Sequence, residues 1–167
     1  MTDEQTFFID GYWHGTLPSN VDIDRFDKFN FIDCTQPEDL WLDPSAKREL
    51  DFIHKWLGDN YISTVFDEYE LKDTAMWSGV DHGSRKWHND FEDSNKFNSN
   101  ILIYLDDNTK NNGNNIQIRT GDYHFTLYPK RRDFVWLNQK KCFEHRAAHK
   151  TGERRVLSFE YLIPALY

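Results

Sequence analysis

The second half of the chain has the hydrophobic pattern of short β-strands. Apolar and aromatic residues alternate with polar ones, and Gly, Asn or Asp separates most of the segments. We predict strands at 63–71, 74–77, 86–91, 100–105, 115–120, 123–128, 133–137, 143–147 and 154–163. Many short strands at regular spacing are typical of a sandwich or barrel.

The first half contains one clear helix pattern. Asp43 is a suitable N-cap, and Pro44 follows at the first helical position. Apolar residues then recur on one face, at Ala46, Leu50, Ile53 and Leu57. Gly58 stands where a C-terminal cap belongs, so the pattern predicts a helix over 44–57. His54 lies beside the apolar stripe and is expected to pack at the edge of the core against a sheet.

Composition and length indicate one globular domain. The 167 residues are 38% hydrophobic and 16% aromatic, which suffices for a sizeable core. We expect a single domain over 1–167, in which 1–60 supports a β-structure at 61–167. No apolar run approaches the roughly 20 residues of a membrane helix, and the polar N-terminus does not resemble a signal peptide. Cys34 and Cys142 are too few for a disulfide framework, so we expect a cytoplasmic protein with reduced cysteines.

The charge balance argues against a polyanionic partner. The formal net charge is −8, whereas nucleic-acid binding relies on Lys and Arg to neutralise phosphates. The densest basic residues are Lys130, Arg131, Arg132, Lys140, Lys141 and Arg146. Two interpretations remain open for them: a local patch for an acidic substrate or partner, and solvated charges in the loops that flank a strand.

The run Trp87-His88-Asn89-Asp90-Phe91 carries the candidate chemistry. On a strand, residues two apart point to the same face, so His88 and Asp90 would stand side by side. One imidazole and one carboxylate are two of the three ligands of a 2-His-1-carboxylate triad, which holds non-haem Fe(II) and leaves coordination positions open. The third ligand would come from farther along the chain.

The order of motifs from about 77 to 161 resembles the Fe(II)/2-oxoglutarate-dependent dioxygenases, especially their prolyl-hydroxylase-like branch. The His88-Asn89-Asp90 pair is followed by Ile101-Leu102-Ile103-Tyr104-Leu105-Asp106, which is similar to an apolar strand of that family. Gly113-Asn114-Asn115-Ile116-Gln117-Ile118 lacks the second glycine of the family's pattern. In Tyr128-Pro129-Lys130-Arg131-Arg132-Asp133-Phe134-Val135-Trp136, Arg132 or Asp133 replaces a glycine, so the turn is expected to differ.

The resemblance also supplies the third ligand. Phe143-Glu144-His145-Arg146-Ala147 is similar to the distal histidine strand, and Gly152-Glu153-Arg154-Arg155-Val156-Leu157-Ser158-Phe159 is similar to the family's last core strand. We favour His145 over the competing His149, because the family usually separates its distal histidine from the basic residue by nine or ten positions. The implied ligand set is His88, Asp90 and His145.

Residues for the cosubstrate follow from the same resemblance. The family pairs the distal carboxylate of 2-oxoglutarate with a basic residue, and a planar guanidinium suits that carboxylate. Arg154 and Arg155 compete for this role. We favour Arg154, because alternation would place Val156 and Ser158 on its face and turn the bulky Leu157 away. Tyr104 stands where the family has a tyrosine that bonds the same carboxylate, and an ordinary core tyrosine is the alternative.

The resemblance implies a double-stranded β-helix, or jelly roll, with the helix at 44–57 as its main support and room for further short helices. It implies an oxygenase that uses Fe(II), 2-oxoglutarate and O2, and allows for ascorbate. The expected reaction hydroxylates a prolyl or other amino-acid or peptide substrate and releases succinate and CO2. The expected substrate loops are 81–85 and 91–99, and Trp77, Trp87 and Trp136 are candidates for either the substrate mouth or the core.

Two other functions remain open from the sequence. One is a jelly-roll binding module without turnover, and the other is a zinc hydrolase that uses the same triad, since imidazole and carboxylate suit several metals. Arg154 and Tyr104 distinguish these functions from an oxygenase, because a zinc hydrolase does not need a dicarboxylate clamp. The sequence does not define an oligomeric state.

Overall fold

The structure, a computed structural model, describes residues 7–33, 43–80, 85–90, 96–140 and 143–164. Within these ranges the chain is mainly β and has the predicted jelly-roll architecture. Its strands are β1 Tyr12–Thr16, β2 Ile32–Asp33, β3 Glu70–Ser78, β4 Lys96–Tyr104, β5 Asn115–Thr120, β6 Tyr123–Leu127, β7 Asp133–Asn138, β8 Phe143–Ala148 and β9 Arg155–Pro164. Cys34 and Cys142 lie outside the described residues.

The strands form a large and a small sheet. The large sheet has the order β1-β7-β4-β9-β3-β2, and the small sheet has the order β6-β5-β8. All pairs are antiparallel except the short parallel pair of β2 and β3. A single β-bridge between His88 and His145 places the segment 85–90 beside β8, on the open edge of the small sheet.

Two apolar clusters stabilise this arrangement. One lies between the sheets and includes Leu102 and Tyr104 from the large sheet and Ile116 and Ile118 from the small sheet. The other covers the outer face of the large sheet and contains the helix. Strand β9 contributes to both clusters by alternation: Val156 faces the space between the sheets, whereas Leu157, Phe159, Tyr161 and Ile163 belong to the outer cluster.

The predicted helix is present and longer than expected. A 3-10 turn at Pro44–Ala46 precedes α1 at Lys47–Leu57, and Asp43 caps the start by accepting a 2.8 Å hydrogen bond from the Ser45 amide. Gly58 does not end the helix: its backbone is helical, and a π turn at Gly58–Ile62 leads into α2 at Ser63–Val65. A Cβ at Gly58 would lie 2.9 Å from the Tyr69 ring, so this glycine permits close packing instead.

The packing of α1 agrees with the apolar stripe. Leu50 and Leu57 are fully buried, and Ile53 is 3% exposed. His54 is buried at the edge of the core, where its Nε2 lies 3.0 Å from the Glu160 carbonyl oxygen of β9. Burial lowers the pKa of His54, so this histidine is neutral near pH 7. In the described ranges, no helix has the length and apolar character needed to span a bilayer.

Four strand predictions were wrong in detail, one of them because β4 begins at Lys96 and not at 100. The predicted strand at 63–71 instead begins as helix, because Ile62 and Phe66 are buried against the core in that conformation despite the β-branched residues between them. The segment 74–77 belongs to the longer β3. The predicted strand at 86–91 is reduced to the bridge at His88, and Phe91 lies outside the described residues.

The turn before β7 has an arginine in a backbone conformation that favours glycine. Arg132 has a positive φ of 75°, a conformation that costs about 1–2 kcal/mol for a residue with a side chain. Its guanidinium offsets this cost by donating to the carbonyl oxygens of Pro18 at 2.7 Å and Val21 at 3.0 Å. Arg132 thereby fastens the N-terminal segment to the jelly roll.

Candidate active site

The structure brings the three predicted ligands together at one end of the jelly roll. The side-chain ligand atoms of His88, Asp90 and His145 all lie within 4.8 Å of one another. Asp90 is 3.9 Å from the Nε2 of His88 and 3.7 Å from the Nε2 of His145. His149 is not part of this cluster, and its Nε2 lies 2.8 Å from the carbonyl oxygen of Gly152.

Both imidazoles have the form that a metal ligand requires. The Nδ1 of His88 lies 2.8 Å from the Lys86 carbonyl oxygen, so Nδ1 carries the proton and leaves the Nε2 lone pair toward the cluster. Burial, together with the neighbouring His88, lowers the pKa of His145 to about 3. His145 is therefore neutral at physiological pH and does not have to lose a proton before it binds a cation.

Polar contacts that the sequence did not reveal hold Asp90 in place. The side-chain amide of Gln139, directly after β7, donates to Asp90 Oδ2 at 2.9 Å. The side chain of Asn98, on β4, donates to the Asp90 backbone carbonyl at 2.6 Å. Gln139 and Asn98 are each only 1% exposed. Gln139 follows Asp90 by 49 residues, so no local pattern of the sequence could have identified it.

The segment with the first two ligands is also fastened to the outer face of the small sheet. Two guanidinium groups contact the Trp87 ring, with Cζ of Arg119 at 4.7 Å and Cζ of Arg146 at 4.6 Å from its centroid. His124 of β6 meets the same ring edge-on at 5.4 Å. Trp87 thus contacts side chains from all three strands of the small sheet and restrains the adjacent His88.

Arg154 lies in the interior between the sheets and is 1% exposed. Its guanidinium faces the Trp77 ring at 5.0 Å and the Tyr104 ring at 5.7 Å, and it donates to the Gly79 carbonyl oxygen at 3.0 Å. Ser158, half-buried, lies on the same face of β9 by alternation and pairs with Leu102 in the register.

Arg155 points the other way. Its guanidinium forms ion pairs with Asp106 at 2.7 Å and Asp27 at 3.0 Å, and these carboxylates raise its pKa. The ring of Phe31 lies under the same group at 5.6 Å. Arg155 therefore joins the N-terminal segment to the jelly roll, on the opposite face of β9 from Arg154.

The residues present fit a divalent metal and a dicarboxylate. Two imidazoles and one carboxylate form the donor set that non-haem Fe(II) takes. The hydroxyl of Tyr104 is fully buried beside Arg154, and no hydrogen bond of normal geometry satisfies it within the described part of the chain. Burial raises the pKa of Tyr104, while Arg154 opposes that rise. A protonated hydroxyl and a guanidinium together suit a carboxylate.

Other predicted residues have structural positions. Trp136 is fully buried in the outer cluster, and its indole N–H donates to Ser99, so it is a core residue. Among the basic residues, Arg131 is paired with Asp24 and Asp27 rather than contributing to a free patch. The expected substrate loops fall mostly outside the described residues, which lack 81–84 and 91–95, and 96–99 form the start of β4.

Comparison with known proteins gives similarity in structure only. No protein-family model matches the chain, and no curated protein has a significantly similar sequence. A prolyl hydroxylase from Trichoplax adhaerens, solved with a peptide fragment of the hypoxia inducible factor oxygen degradation domain, is 10% identical with a TM-score of 0.66; the match covers 96% of this chain and 87% of that chain.

Two further solved structures match at similar levels. A prolyl-4-hydroxylase from Pseudomonas putida is 15% identical, with 96% of each chain covered and a TM-score of 0.58. HygX from Streptomyces hygroscopicus, solved with nickel and 2-oxoglutarate bound, is 14% identical, with 100% of this chain and 88% of that chain covered and a TM-score of 0.62. The fold is therefore that of the prolyl hydroxylases, and it confirms at the level of architecture the resemblance to Fe(II)/2-oxoglutarate-dependent dioxygenases that the sequence indicates.

Proposed function

We propose that this chain is an Fe(II)- and 2-oxoglutarate-dependent dioxygenase that hydroxylates a C–H bond of a prolyl or other amino-acid or peptide substrate. The observation that carries this proposal is the convergence of His88, Asp90 and His145 within 4.8 Å. Arg154 and Tyr104 lie in the interior of the same jelly roll. One of the matched structures supports the cofactors, because HygX was solved with nickel and 2-oxoglutarate bound.

Each residue has a definite task in the proposed enzyme. His88, Asp90 and His145 would hold Fe(II) on one side, so that the remaining coordination positions stay open. Arg154 would bind the distal carboxylate of 2-oxoglutarate through its planar fork, and Tyr104 and Ser158 would donate hydroxyl hydrogen bonds to the same carboxylate. When bound, Fe(II) and 2-oxoglutarate supply the oxidation by O2, with succinate and CO2 as products.

The protein contributes positioning and exclusion of water. Gln139 keeps Asp90 in orientation through its 2.9 Å hydrogen bond. The apolar cluster between the sheets, which includes Ile118, Val135 and Leu137, makes the interior dry and strengthens the Arg154 interaction with a carboxylate. Among the described residues, we assign no site for ascorbate.

The test is a binding and turnover experiment with two readouts. Fe(II) and then 2-oxoglutarate are titrated into the protein without oxygen, and succinate is measured after air is admitted, across peptides and free amino acids. We expect one Fe(II) per chain, binding of 2-oxoglutarate that depends on the metal, and succinate formation that a substrate stimulates. Metal binding without 2-oxoglutarate binding would favour a hydrolase, and binding of both without succinate would favour a module that has no turnover.

A further inference from the structure

The inner face of the large sheet carries hydrogen-bond acceptors that no described residue fills. They belong to Asn98 and Asn100 of β4, which share a face with Leu102 and Tyr104 in the interior cluster and lie beside the carboxylate of Glu160 on β9. Asn100 is paired with Glu160 in the register, and Asn98 bonds the backbone of Asp90. The group therefore lies next to the proposed metal ligands.

Both asparagine side chains have a buried oxygen atom without a hydrogen-bond partner among the described residues. Asn98 is 1% exposed and Asn100 is 6% exposed, and Oδ1 of each has no hydrogen-bond partner in the described ranges. Their nitrogen atoms are assigned by their neighbours: Nδ2 of Asn98 faces the Asp90 carbonyl at 2.6 Å, and Nδ2 of Asn100 faces the Glu160 carboxylate at 3.4 Å. An exchange of O and N would set acceptors against acceptors, so the unfilled atoms are the oxygens.

Glu160 adds negative charge beside these oxygens. Its side chain is 23% exposed and pairs with Lys72 at 3.1 Å. A carboxylate can accept about four hydrogen bonds, so Lys72 and Asn100 do not saturate it. Burial raises the pKa of Glu160, and Asp90 raises it further, although Lys72 opposes the shift. A second cation at this position would stabilise the ionised carboxylate.

We propose that Asn98, Asn100 and Glu160 form a subsite for a protonated amine of the substrate. This inference rests on the proposed oxygenase function and narrows its substrate class to compounds that present an ammonium group near the metal. An ammonium has three N–H donors, which match the two unfilled amide oxygens and the carboxylate. Leaving these buried acceptors unfilled costs free energy, and a donor from the substrate removes that cost.

The fold alone does not favour one of two substrate groups, prolyl peptides and free amines, whereas the subsite does. A prolyl residue inside a peptide has neither an N–H nor a charge on its ring nitrogen, so it offers nothing to these acceptors. A free amino acid or a small amine offers both. The Glu160 side chain, 23% exposed, and the Asp90 side chain, 36% exposed, reach solvent beside these buried oxygens.

The test compares amines with their N-acetylated forms, which lack the positive charge. Free amino acids, including proline, and small diamines are titrated by calorimetry into protein that holds Fe(II) and 2-oxoglutarate without oxygen, and again into protein without either. We expect at least one amine to bind, with an affinity at least about tenfold above that of its acetylated form. Glu160→Gln should weaken this binding by about 10- to 100-fold.

Two further variants complete the test. Asn100→Leu removes one unfilled oxygen at nearly constant size and should also weaken amine binding, whereas Glu49→Gln, on α1 and bonded to Arg25, should not. The inference is overturned if no amine in the panel binds, if acetylated forms bind equally well, or if Glu160→Gln has no effect. Amine binding that needs Glu160, in a protein that fails to bind 2-oxoglutarate, would retain the subsite and reject the oxygenase function.

Discussion

His88 and His145 form a reciprocal backbone pair although 57 residues separate them. The His88 amide donates to the His145 carbonyl at 3.1 Å, and the His145 amide donates to the His88 carbonyl at 2.9 Å. The two rings lie side by side with centroids 4.2 Å apart. This pairing fixes the relative position of two proposed metal ligands through the backbone, before any metal binds.

The first prediction concerns the choice of the distal ligand. His145→Ala should lower Fe(II) affinity by more than about 100-fold and abolish turnover, because loss of a ligand exceeds the 10- to 100-fold cost of losing an outer contact. His149→Ala should retain most of both, since its Nε2 bonds the Gly152 carbonyl and the residue is not part of the His88, Asp90 and His145 cluster. Equilibrium Fe(II) titration measures the difference, and the opposite result would reassign the ligand.

A second prediction separates the two neighbouring arginines. Arg154→Ala would leave the cosubstrate carboxylate unpaired in a buried position, which costs roughly 2–5 kcal/mol, or about 30- to several thousand-fold in 2-oxoglutarate affinity. Arg154→Lys should weaken binding less, because an ammonium lacks the bidentate fork. Arg155→Ala should change the affinity little and instead lower stability, as its ion pairs with Asp106 and Asp27 are lost.

The measurement for the arginines is titration of 2-oxoglutarate into the Fe(II)-loaded variants, with thermal unfolding in parallel. If Arg155→Ala is the damaging change, the anchor is misassigned. If neither variant affects binding, the protein does not use 2-oxoglutarate.

A third prediction tests the contact that orients Asp90. Gln139→Leu keeps the size of the buried side chain but removes the amide donor, so Fe(II) affinity should fall by about 10- to 100-fold. Gln117→Leu is a matched control, because Gln117 bonds Arg146 on the outer face of the small sheet. Equal affinities for the two variants would show that the hydrogen bond to Asp90 is dispensable.

A fourth prediction concerns the helix that supports the large sheet. Leu50→Ala should lower the free energy of unfolding by about 2–5 kcal/mol, because the fully buried side chain leaves a cavity. Phe52, two residues along and 66% exposed, should tolerate the change to Ala within about 0.5 kcal/mol. Denaturant unfolding of both variants gives the comparison, and similar losses would argue against the packing of α1 described above.

A fifth prediction gives the pH dependence of stability. Because burial holds the pKa of His54 below its usual 6.5, the unfolded chain binds a proton more readily than the folded one. The stability that the folded protein gains from a neutral His54 is fully present above pH 6.5. It is lost as the pH falls toward the folded pKa, by up to about 1.4 kcal/mol per pH unit. His145, with a pKa of about 3, adds a similar loss.

The variant His54→Gln isolates the contribution of His54 to the pH dependence of stability, since Gln can donate to the Glu160 carbonyl without titrating. Its free energy of unfolding should decline less steeply than that of the wild type between pH 6.5 and 5. An unchanged slope would mean that His54 is protonated in the folded protein.

The sequence predicted the elements whose pattern is local. The strands from β5 to β9 alternate clearly, and their predicted bounds differ from the observed ones by no more than a residue. The spacing of His88 and Asp90 indicated the ligand pair, and the resemblance supplied His145. The stripe at Leu50 and Ile53 indicated the buried face of α1.

The remaining features depend on packing between distant segments. Glycine is common at the C-terminal end of a helix, but Gly58 has a helical backbone, and its missing Cβ leaves room for the Tyr69 ring from a later segment. Gln139 belongs to the site only because the end of β7 lies beside Asp90 in the folded chain. Trp87 contacts residues from strands that follow it by more than 30 positions, as with Arg119. No pattern within a short window of the chain carries this information.

The two sheets differ in how their faces are covered, and this difference affects which parts of the protein unfold first. The large sheet has an apolar layer on each face, whereas the small sheet has one such layer and a polar outer face with Arg119 and Arg146. Amide hydrogens in β4 and β9 should therefore exchange most slowly, and those in β6 earlier, through partial opening events. Because His145 belongs to the small sheet and Arg154 adjoins the large one, such an opening would separate the proposed metal ligand from the proposed cosubstrate anchor while most of the molecule stays folded.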